Sequence, residues 1–258
     1  MVSREHSALL AQATYQLGEK GVSKGDRVAN ANKMVEQTGY VVNDKHSNSE
    51  ITTYQHKDNP NNVFIAHRGT KVDTDRRNKN FNDVTADLMF AVGLGGHDAK
   101  MKRRKNKTNQ IIKALNPEQL HLAGHSLGGG TVNYTIAKSK KVKDKLTSAK
   151  TFNAAAHPVF ANDTAVSKKV QKNLEDKVEH HRIKNDPVSA GFLTNVPFGK
   201  LKTHSVKHDA SKGKSLLQNM VEGSTILGKA KRFTERGIHA HLVSHFHDGS
   251  IKKKKNKK

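Results

Sequence analysis

The sequence predicts an α/β fold in which helices cover both faces of a mostly parallel central sheet. Short apolar runs such as residues 63–66 recur along the chain, and segments with helical spacing lie between them. Buried parallel strands have apolar sequences of this kind, and helices usually connect them. The length of 258 residues suits a single domain of this class, which we place over residues 1–250.

Helical and hairpin patterns account for the first part of the chain. Leu9, Leu10, Ala13 and Leu17 fall on one helical face, so we expect the first 40 residues to be mostly helical. Residues 51–55 and 63–67 predict an antiparallel hairpin, because the turn-forming residues 57–62 separate them.

The middle of the chain predicts alternating strands and helices. A polar stretch up to residue 82 and an amphipathic patch over residues 84–92 are typical of a surface flap. We then expect a helix that ends before Pro117 and another over residues 131–137. Strands are predicted over residues 119–123, 149–153 and 178–184.

The composition is strongly basic. Lysine and arginine number 46 against 23 aspartates and glutamates, which gives a formal net charge of +23, and six basic residues lie in each of the segments 100–107 and 252–258. Such clusters favour polyanions, so an anionic membrane surface, nucleic acid and a merely solvated cationic surface remain three open interpretations. The tail over residues 251–258 is predicted to be disordered, since lysine-rich sequence buries little apolar surface.

Other features of the composition restrict the class of protein. The chain has no cysteine, which excludes disulfides, a thiolate nucleophile and a zinc ribbon. The N-terminal segment lacks the apolar run of a secretory signal, and no stretch reaches the roughly 20 apolar residues of a membrane span. We therefore expect a soluble protein of the cytoplasm or of a virion.

The most informative motif is the sequence from Gly124 to Gly128, which has the form G-x-S-x-G around Ser126. A serine on a tight turn between a strand and a helix needs very small neighbours two residues before and after it. The turn exposes the hydroxyl above the sheet and places the next N–H groups at a helix N-terminus, where they stabilise a developing oxyanion. This geometry makes the N–H of Leu127 an expected oxyanion donor.

Three segments together resemble the class 3 lipase family. They are the sequence HRGT at residues 67–70, the sequence GHSLGG at residues 124–129 and the sequence NDPV at residues 185–188. The resemblance covers residues 40 to 246 and implies an α/β-hydrolase fold, with the oxyanion hole, the nucleophile and the acid in these three motifs. The lysine tail and the composition also resemble lipase-like proteins that large DNA viruses encode.

The resemblance implies a catalytic triad of Ser126, Asp186 and His241. Asp186 follows the strand predicted over residues 178–184, and loops after such strands carry the sites of these sheets. His241 is favoured as the base because an aromatic residue follows it at the family's spacing, although His239, His245 and His247 remain alternatives. By resemblance, the N–H of Thr70 joins that of Leu127 in the oxyanion hole. Arg68, by contrast, is expected to be structural.

The expected activity is hydrolysis of carboxylic esters in glycerolipids or phospholipids through an acyl-enzyme on Ser126. No cofactor or metal is expected, although the four closely spaced histidines with Asp248 also allow a metal site as an alternative. Two other functions remain open. One is a basic protein of virions or nucleic acid that retains the hydrolase fold, and the other is an acyltransferase that uses the same triad.

Overall fold

The computed structural model describes residues 2–70, 97–155, 166–184, 186, 198–205, 243–248 and 251. They form a sheet whose seven strands lie side by side in the order in which they occur along the chain. The strands are β1 (Tyr40–Val42), β2 (Ile51–His56), β3 (Asn62–His67), β4 (Gln119–His125), β5 (Leu146–Phe152), β6 (Val178–Ile183) and β7 (Lys200–His204). The pairs β1–β2 and β2–β3 are antiparallel, and all later pairs are parallel.

Six α-helices lie within the described residues. They are α1 (Arg4–Ala13), α2 (Lys24–Val35), α3 (His97–Leu115), α4 (Leu127–Lys138), α5 (Lys140–Lys145) and α6 (Lys168–Glu175). Short 3₁₀ turns lie at Gln16–Gly18, Glu36–Thr38, Asp44–His46 and Val243–Phe246. Serine side chains begin three of the helices: Ser3, Ser23 and Ser139 accept hydrogen bonds from the backbone N–H three residues ahead.

Two apolar cores lie on opposite faces of the sheet because side chains alternate along each strand. In β3, Val63 and Ile65 belong to one core, whereas Phe64 and Ala66 belong to the other. The first core contains side chains from α3, α4, α5 and α6. The second contains side chains from α1 and α2, together with Phe246 of the last 3₁₀ turn.

The α/β fold with helices on both faces is therefore confirmed. The predicted hairpin forms β2 and β3, and the strands predicted over residues 119–123, 149–153 and 178–184 form β4, β5 and β6. The helix predicted to start at residue 131 instead begins at Leu127, directly after Ser126. Three consecutive glycines, at residues 128–130, belong to the first turn of this helix.

Some predicted features lie outside the described residues. These are the flap over residues 84–92 and the lysines at 252–258. Ile251, the first residue of the predicted tail, is described and packs against the core that contains Phe246. Within the described ranges, none of the helices combines the length and the apolar character needed to cross a bilayer.

Candidate active site

Ser126 lies alone between the end of β4 and the start of α4, at the carboxyl edge of the sheet. Its backbone has φ 56° and ψ −126°, a conformation that residues other than glycine rarely adopt. Such strain persists only where the surrounding structure enforces it, and it is found preferentially at functional sites. The residue is 1% exposed.

The glycines around Ser126 allow a close approach of three chain segments. A Cβ at Gly124 would lie 2.4 Å from the carbonyl carbon and oxygen of Gly128. A Cβ at Gly128 would lie 2.0 Å from the carbonyl oxygen of His67, at the end of β3. Both positions are therefore restricted to glycine by backbone contacts, which explains the spacing of the motif.

Backbone hydrogen bonds hold this turn against β5. The N–H of Ser126 donates to the carbonyl oxygen of Phe152 at 3.0 Å, and the carbonyl of Ser126 accepts from Gly130 at 3.1 Å and from Ala155 at 2.9 Å. The hydroxyl Oγ of Ser126, however, is buried and has no hydrogen-bond partner among the described residues. The side chain of Ser126 thus stays available while its main chain is fixed.

The segment after β3 lies beside the serine. A Cβ at Gly69 would be 3.2 Å from the Cβ of Ser126 and 2.6 Å from the carbonyl oxygen of His125. Thr70 is the next residue along this segment, and Leu127 is the first residue of α4. Gly69, the neighbour of Thr70, thus lies beside Ser126, and the N-terminus of α4 adds its partial positive charge.

Tyr15 connects the two segments that flank the serine, and sequence reasoning missed it. Its hydroxyl oxygen lies 3.0 Å from Nδ1 of His125, and a Cβ at Gly69 would lie 2.4 Å from the same oxygen. Burial raises the pKa of this hydroxyl above its ordinary value, so the phenol stays protonated and can donate to His125. No local sequence signal indicates a contact between residues 110 positions apart.

A buried arginine holds the end of β3 from the opposite side. Arg104 of α3 is 1% exposed and donates through Nη1 to the carbonyl oxygen of Arg68 at 2.6 Å. It also contacts Glu50, which binds Arg103 through both carboxylate oxygens at 2.7 and 2.8 Å. Burial raises the pKa of Glu50, but Arg104 and Arg103 outweigh it and hold this pKa below its usual range. Glu50 therefore stays ionised.

The Arg68 side chain lies on the α1 side of the strand end. A Cβ at Gly18 would be 1.3 Å from its Nη1, so the guanidinium packs directly on that glycine. This packing agrees with the structural role expected for Arg68.

Asp186 follows β6 and is fully buried. Its N–H donates to the carbonyl oxygen of Ile183 at 3.2 Å. Asn153, with φ 43°, joins this strand end to the end of β5: its N–H donates to the carbonyl oxygen of His181 at 2.8 Å, and its Oδ1 accepts from the N–H of Ile183 at 2.8 Å. The predicted acid is thus at the same edge of the sheet as Ser126.

The candidate bases are only partly covered by the structure. His239 and His241 lie outside the described residues, as does the side chain of His245. His247 is described, and its Nε2 contacts Oε1 of Gln12 in α1. Phe246, the aromatic residue that suggested His241, is 1% exposed and packs on Phe152 at a ring-centroid distance of 4.9 Å. The segment after His241 therefore packs on the strand that ends next to the nucleophile turn.

The alternative metal site falls mostly on the same undescribed histidines. Within the ranges that the structure covers, no three His, Asp or Glu side chains are arranged to hold a metal ion.

Comparison with known proteins identifies the family. The model of a phospholipase-like family, the Tle-like phospholipase domain, matches residues 6–239. No curated protein matches the chain in sequence.

Solved structures of fungal lipases resemble the fold weakly. Lipase II of Rhizopus niveus is 14% identical with a TM-score of 0.45, and the match covers 81% of this chain and 82% of that one. The Rhizomucor miehei lipase with its propeptide is 12% identical with a TM-score of 0.42, over 81% and 66% of the two chains. The MDLA protein of Penicillium cyclopium is 16% identical with a TM-score of 0.41, over 80% and 77%.

The family match covers nearly the whole described sheet, and the motif that suggested a class 3 lipase forms a strained serine turn inside it. The chain therefore belongs to the phospholipase-like family described by the Tle-like phospholipase domain.

Proposed function

We propose that this protein hydrolyses a carboxylic ester of a phospholipid and that Ser126 carries the acyl group during the reaction. The observation that supports this most strongly is the environment of the Ser126 hydroxyl. It is buried on a strained turn without a hydrogen-bond partner among the described residues, at the start of α4 and beside Gly69. An unpaired buried hydroxyl is costly in a purely structural position, so a catalytic role accounts for it.

The reaction has two steps. Oγ of Ser126 attacks the ester carbonyl carbon while His241 takes the hydroxyl proton, and the oxygen of the tetrahedral intermediate accepts hydrogen bonds from the N–H groups of Leu127 and Thr70. His241 then returns the proton to the leaving alkoxide, which departs as an alcohol. Water attacks the acyl-enzyme in the same way and releases the fatty acid. Asp186 accepts a hydrogen bond from the imidazole and stabilises its cation.

A fluorophosphonate probe tests the nucleophile. The wild type should be labelled, and Ser126→Ala should not be. Ser148→Ala is a matched control because Ser148 is also buried and its Oγ lies 2.8 Å from Nδ1 of His121. Ser148→Ala should be labelled like the wild type. Labelling that persists in Ser126→Ala would eliminate the proposed nucleophile.

The same probe distinguishes the candidate bases. His241→Ala should abolish labelling, since only a histidine within hydrogen-bond reach of Ser126 can activate it. His239→Ala, His245→Ala and His247→Ala should each keep at least part of the labelling. If His245→Ala is the one variant that loses labelling, the base is His245, four residues after His241.

The substrate class is tested with a panel of lipids. Release of fatty acid and lysophospholipid from a phospholipid, in excess over release from a triacylglycerol, is the expected result. The family model supports this preference, since it describes a phospholipase-like domain. Addition of alcohol acceptors measures any acyl transfer, because a transferase would form new esters in preference to free acid.

A second candidate function is binding of nucleic acid by a chain that retains the fold without its chemistry. The cluster of basic residues over 100–107, which lies on α3, favours it. Under this alternative, no serine would be labelled by the probe. The association with a virion likewise stays a prediction from the composition.

A further inference from the structure

A cationic groove lies beside the active-site edge. It has a volume of about 590 Å³, and its walls are the turn at Asn48, Glu50 and Ile51 and one side of α3. The side of α3 that lines it carries Lys102, Arg103, Arg104 and Lys107, whereas Glu50 is the only acidic residue in the lining. The groove therefore has a clear excess of positive charge.

The charges in this groove have two different roles. Arg103 and Arg104 bind Glu50, and Arg104 is buried, so their positive charge is partly neutralised within the fold. Lys102 is exposed and Lys107 is half-buried. Within the described part of the chain, neither of these two ammonium groups has a hydrogen-bond or ion-pair partner. Their charge remains available to a ligand.

The wall of the groove is connected by hydrogen bonds to the carboxyl edge of the sheet, where Ser126 lies. Ile51 pairs with His67 at the end of β3, and the N–H of Arg68 donates to the carbonyl oxygen of Glu50 at 2.9 Å. Arg104, at the base of the groove, donates to the carbonyl oxygen of Arg68. The groove wall is thus bonded to the residue that precedes Gly69 and Thr70. A ligand in the groove would lie close to the entrance of the ester site.

We infer that this groove of α3, with Lys102 and Lys107 as its free cations, is the surface by which the enzyme docks on a bilayer that contains anionic phospholipid. The inference rests on the proposed function, because docking at this edge brings a lipid ester to Ser126. Lipid headgroups carry phosphate and carboxylate groups, which complement the excess lysine and arginine of the groove. The surface potential of an anionic leaflet adds a long-range attraction.

A bilayer fits this position better than nucleic acid does. The described lining contains no aromatic side chain on which a base would stack. Binding of a duplex here would also cover the approach to Ser126, whereas binding of a membrane delivers the substrate. Nucleic acid is therefore treated as a competing outcome of the test.

Vesicle binding by full-length protein with Ser126→Ala tests the inference without turnover. The variant Lys102→Ala/Lys107→Ala should bind vesicles of phosphatidylcholine with phosphatidylserine about 25-fold more weakly, since each lysine near an anionic surface contributes about fivefold. The matched control is Lys140→Ala/Lys141→Ala, which removes two exposed lysines of α5 near the opposite edge of the sheet. This control should bind within about twofold of the parent.

Three results would overturn the inference. The first is equal binding by the groove variant and the parent, and the second is an equal loss in both lysine pairs, which would indicate diffuse attraction. The third is complete displacement from the vesicles by duplex DNA at equal phosphate concentration. A second measurement separates failure of the docking inference from failure of the proposed hydrolysis. With Ser126 intact, the groove variant should hydrolyse a soluble short-chain ester like the wild type. Failure of the wild type on that ester would contradict the proposed chemistry and leave the vesicle comparison valid.

Discussion

Ser126 and Ser148 are both buried, and the surroundings of their hydroxyl groups differ. Ser148 lies within β5, and its Oγ is hydrogen-bonded to His121 of the neighbouring strand. Ser126 lies on a strained turn at the carboxyl edge of the sheet, and its Oγ has no partner among the described residues. A serine and a histidine in contact are therefore insufficient to indicate a nucleophile.

The difference shows which properties make a serine reactive. At Ser148 the hydroxyl is satisfied, and burial lowers the pKa of His121 to about 4, which keeps the pair neutral. No helix begins at Ser148 to stabilise an oxyanion. At Ser126 the helix α4 begins with the next residue, and Gly69 lies directly beside the serine. Backbone geometry, more than residue type, separates the two sites.

The largest expected effect is the contrast between the two alanine variants. Ser126→Ala should lower ester turnover by a factor of about 10⁴ or more, because no other group forms the acyl-enzyme. It should leave the midpoint of urea unfolding unchanged, since the lost hydroxyl had no described partner. Ser148→Ala should keep its turnover but lose about 1 to 2 kcal/mol of unfolding free energy, because His121 loses its partner. Turnover and urea titrations of both variants check the contrast, and a turnover loss in Ser148→Ala would contradict it.

The next effect contrasts two carboxylates. Asp186→Asn should lower turnover by about 10³ to 10⁴, because the amide favours the wrong imidazole tautomer. Glu179 is the matched control, since it lies in β6 and forms ion pairs with Lys150 at 3.3 Å and with Lys202. Glu179→Gln should reduce stability and leave kcat unchanged. A loss below about tenfold in Asp186→Asn would place the acid at another residue.

A smaller effect is expected for Tyr15, which positions the segments on both sides of Ser126. Tyr15→Phe should lower kcat by about tenfold with little change in KM, because the hydroxyl that lies against Gly69 and His125 is lost and Gly69 shifts relative to the serine. The control is Tyr54→Phe. In the wild type the Tyr54 hydroxyl donates to the carbonyl oxygen of Leu10 at 3.0 Å, in the core that contains side chains of α1. That variant should be less stable but equally active. Equal kinetic losses in both variants would reduce Tyr15 to a structural role.

The last prediction concerns the free energy of unfolding and its dependence on pH, and it involves no change in turnover. Burial lowers the pKa of His180 to about 4, and its Nδ1 lies 2.9 Å from Oγ1 of Thr151. An unfolded histidine binds a proton below about pH 6.5, so the unfolded state takes up more protons between about pH 6.5 and pH 4. The free energy of unfolding therefore falls as the pH falls through this window, by up to about 1.4 kcal/mol per pH unit for each such histidine.

His180→Gln tests this dependence. The substitution should flatten the pH dependence of the urea midpoint by about one proton in that window, because glutamine does not titrate. An unchanged slope would mean that another group takes up the proton.

The parts of the fold that sequence reasoning predicted are those with strong local patterns. β3 contains the apolar run at residues 63–66, and turn formers separate β2 from β3, so both signals are contained within a few residues. β1 has three residues, and the Lys-Leu-Lys-Thr-His sequence of β7 is too polar to suggest a strand. These two strands form because the neighbouring strand supplies hydrogen bonds, which a local pattern does not record.

In the candidate site, too, local patterns were predictable from the sequence and long-range contacts were not. The close approach of Gly128 to His67 is implied by the motif, because a serine turn needs glycine at that position. The bond from Tyr15 to His125 and the bond from Arg104 to Arg68 join residues far apart in the sequence. Tyr15 and Arg104 belong to no motif, so these contacts follow only from the folded arrangement. Asn153 gives a weak sequence signal of a site residue, since it is a polar residue directly after the end of β5.

The sequential order of the seven strands has a consequence for synthesis on the ribosome. Each strand pairs with the one made immediately before it, so the sheet can grow at one edge without insertion of a late strand between earlier ones. The serine turn is therefore made before Asp186 and before Phe246, which completes the core under α1. A nascent chain would hold the proposed nucleophile in place while Asp186 and Phe246 are still being translated, and we expect it to gain reactivity only after both have been added.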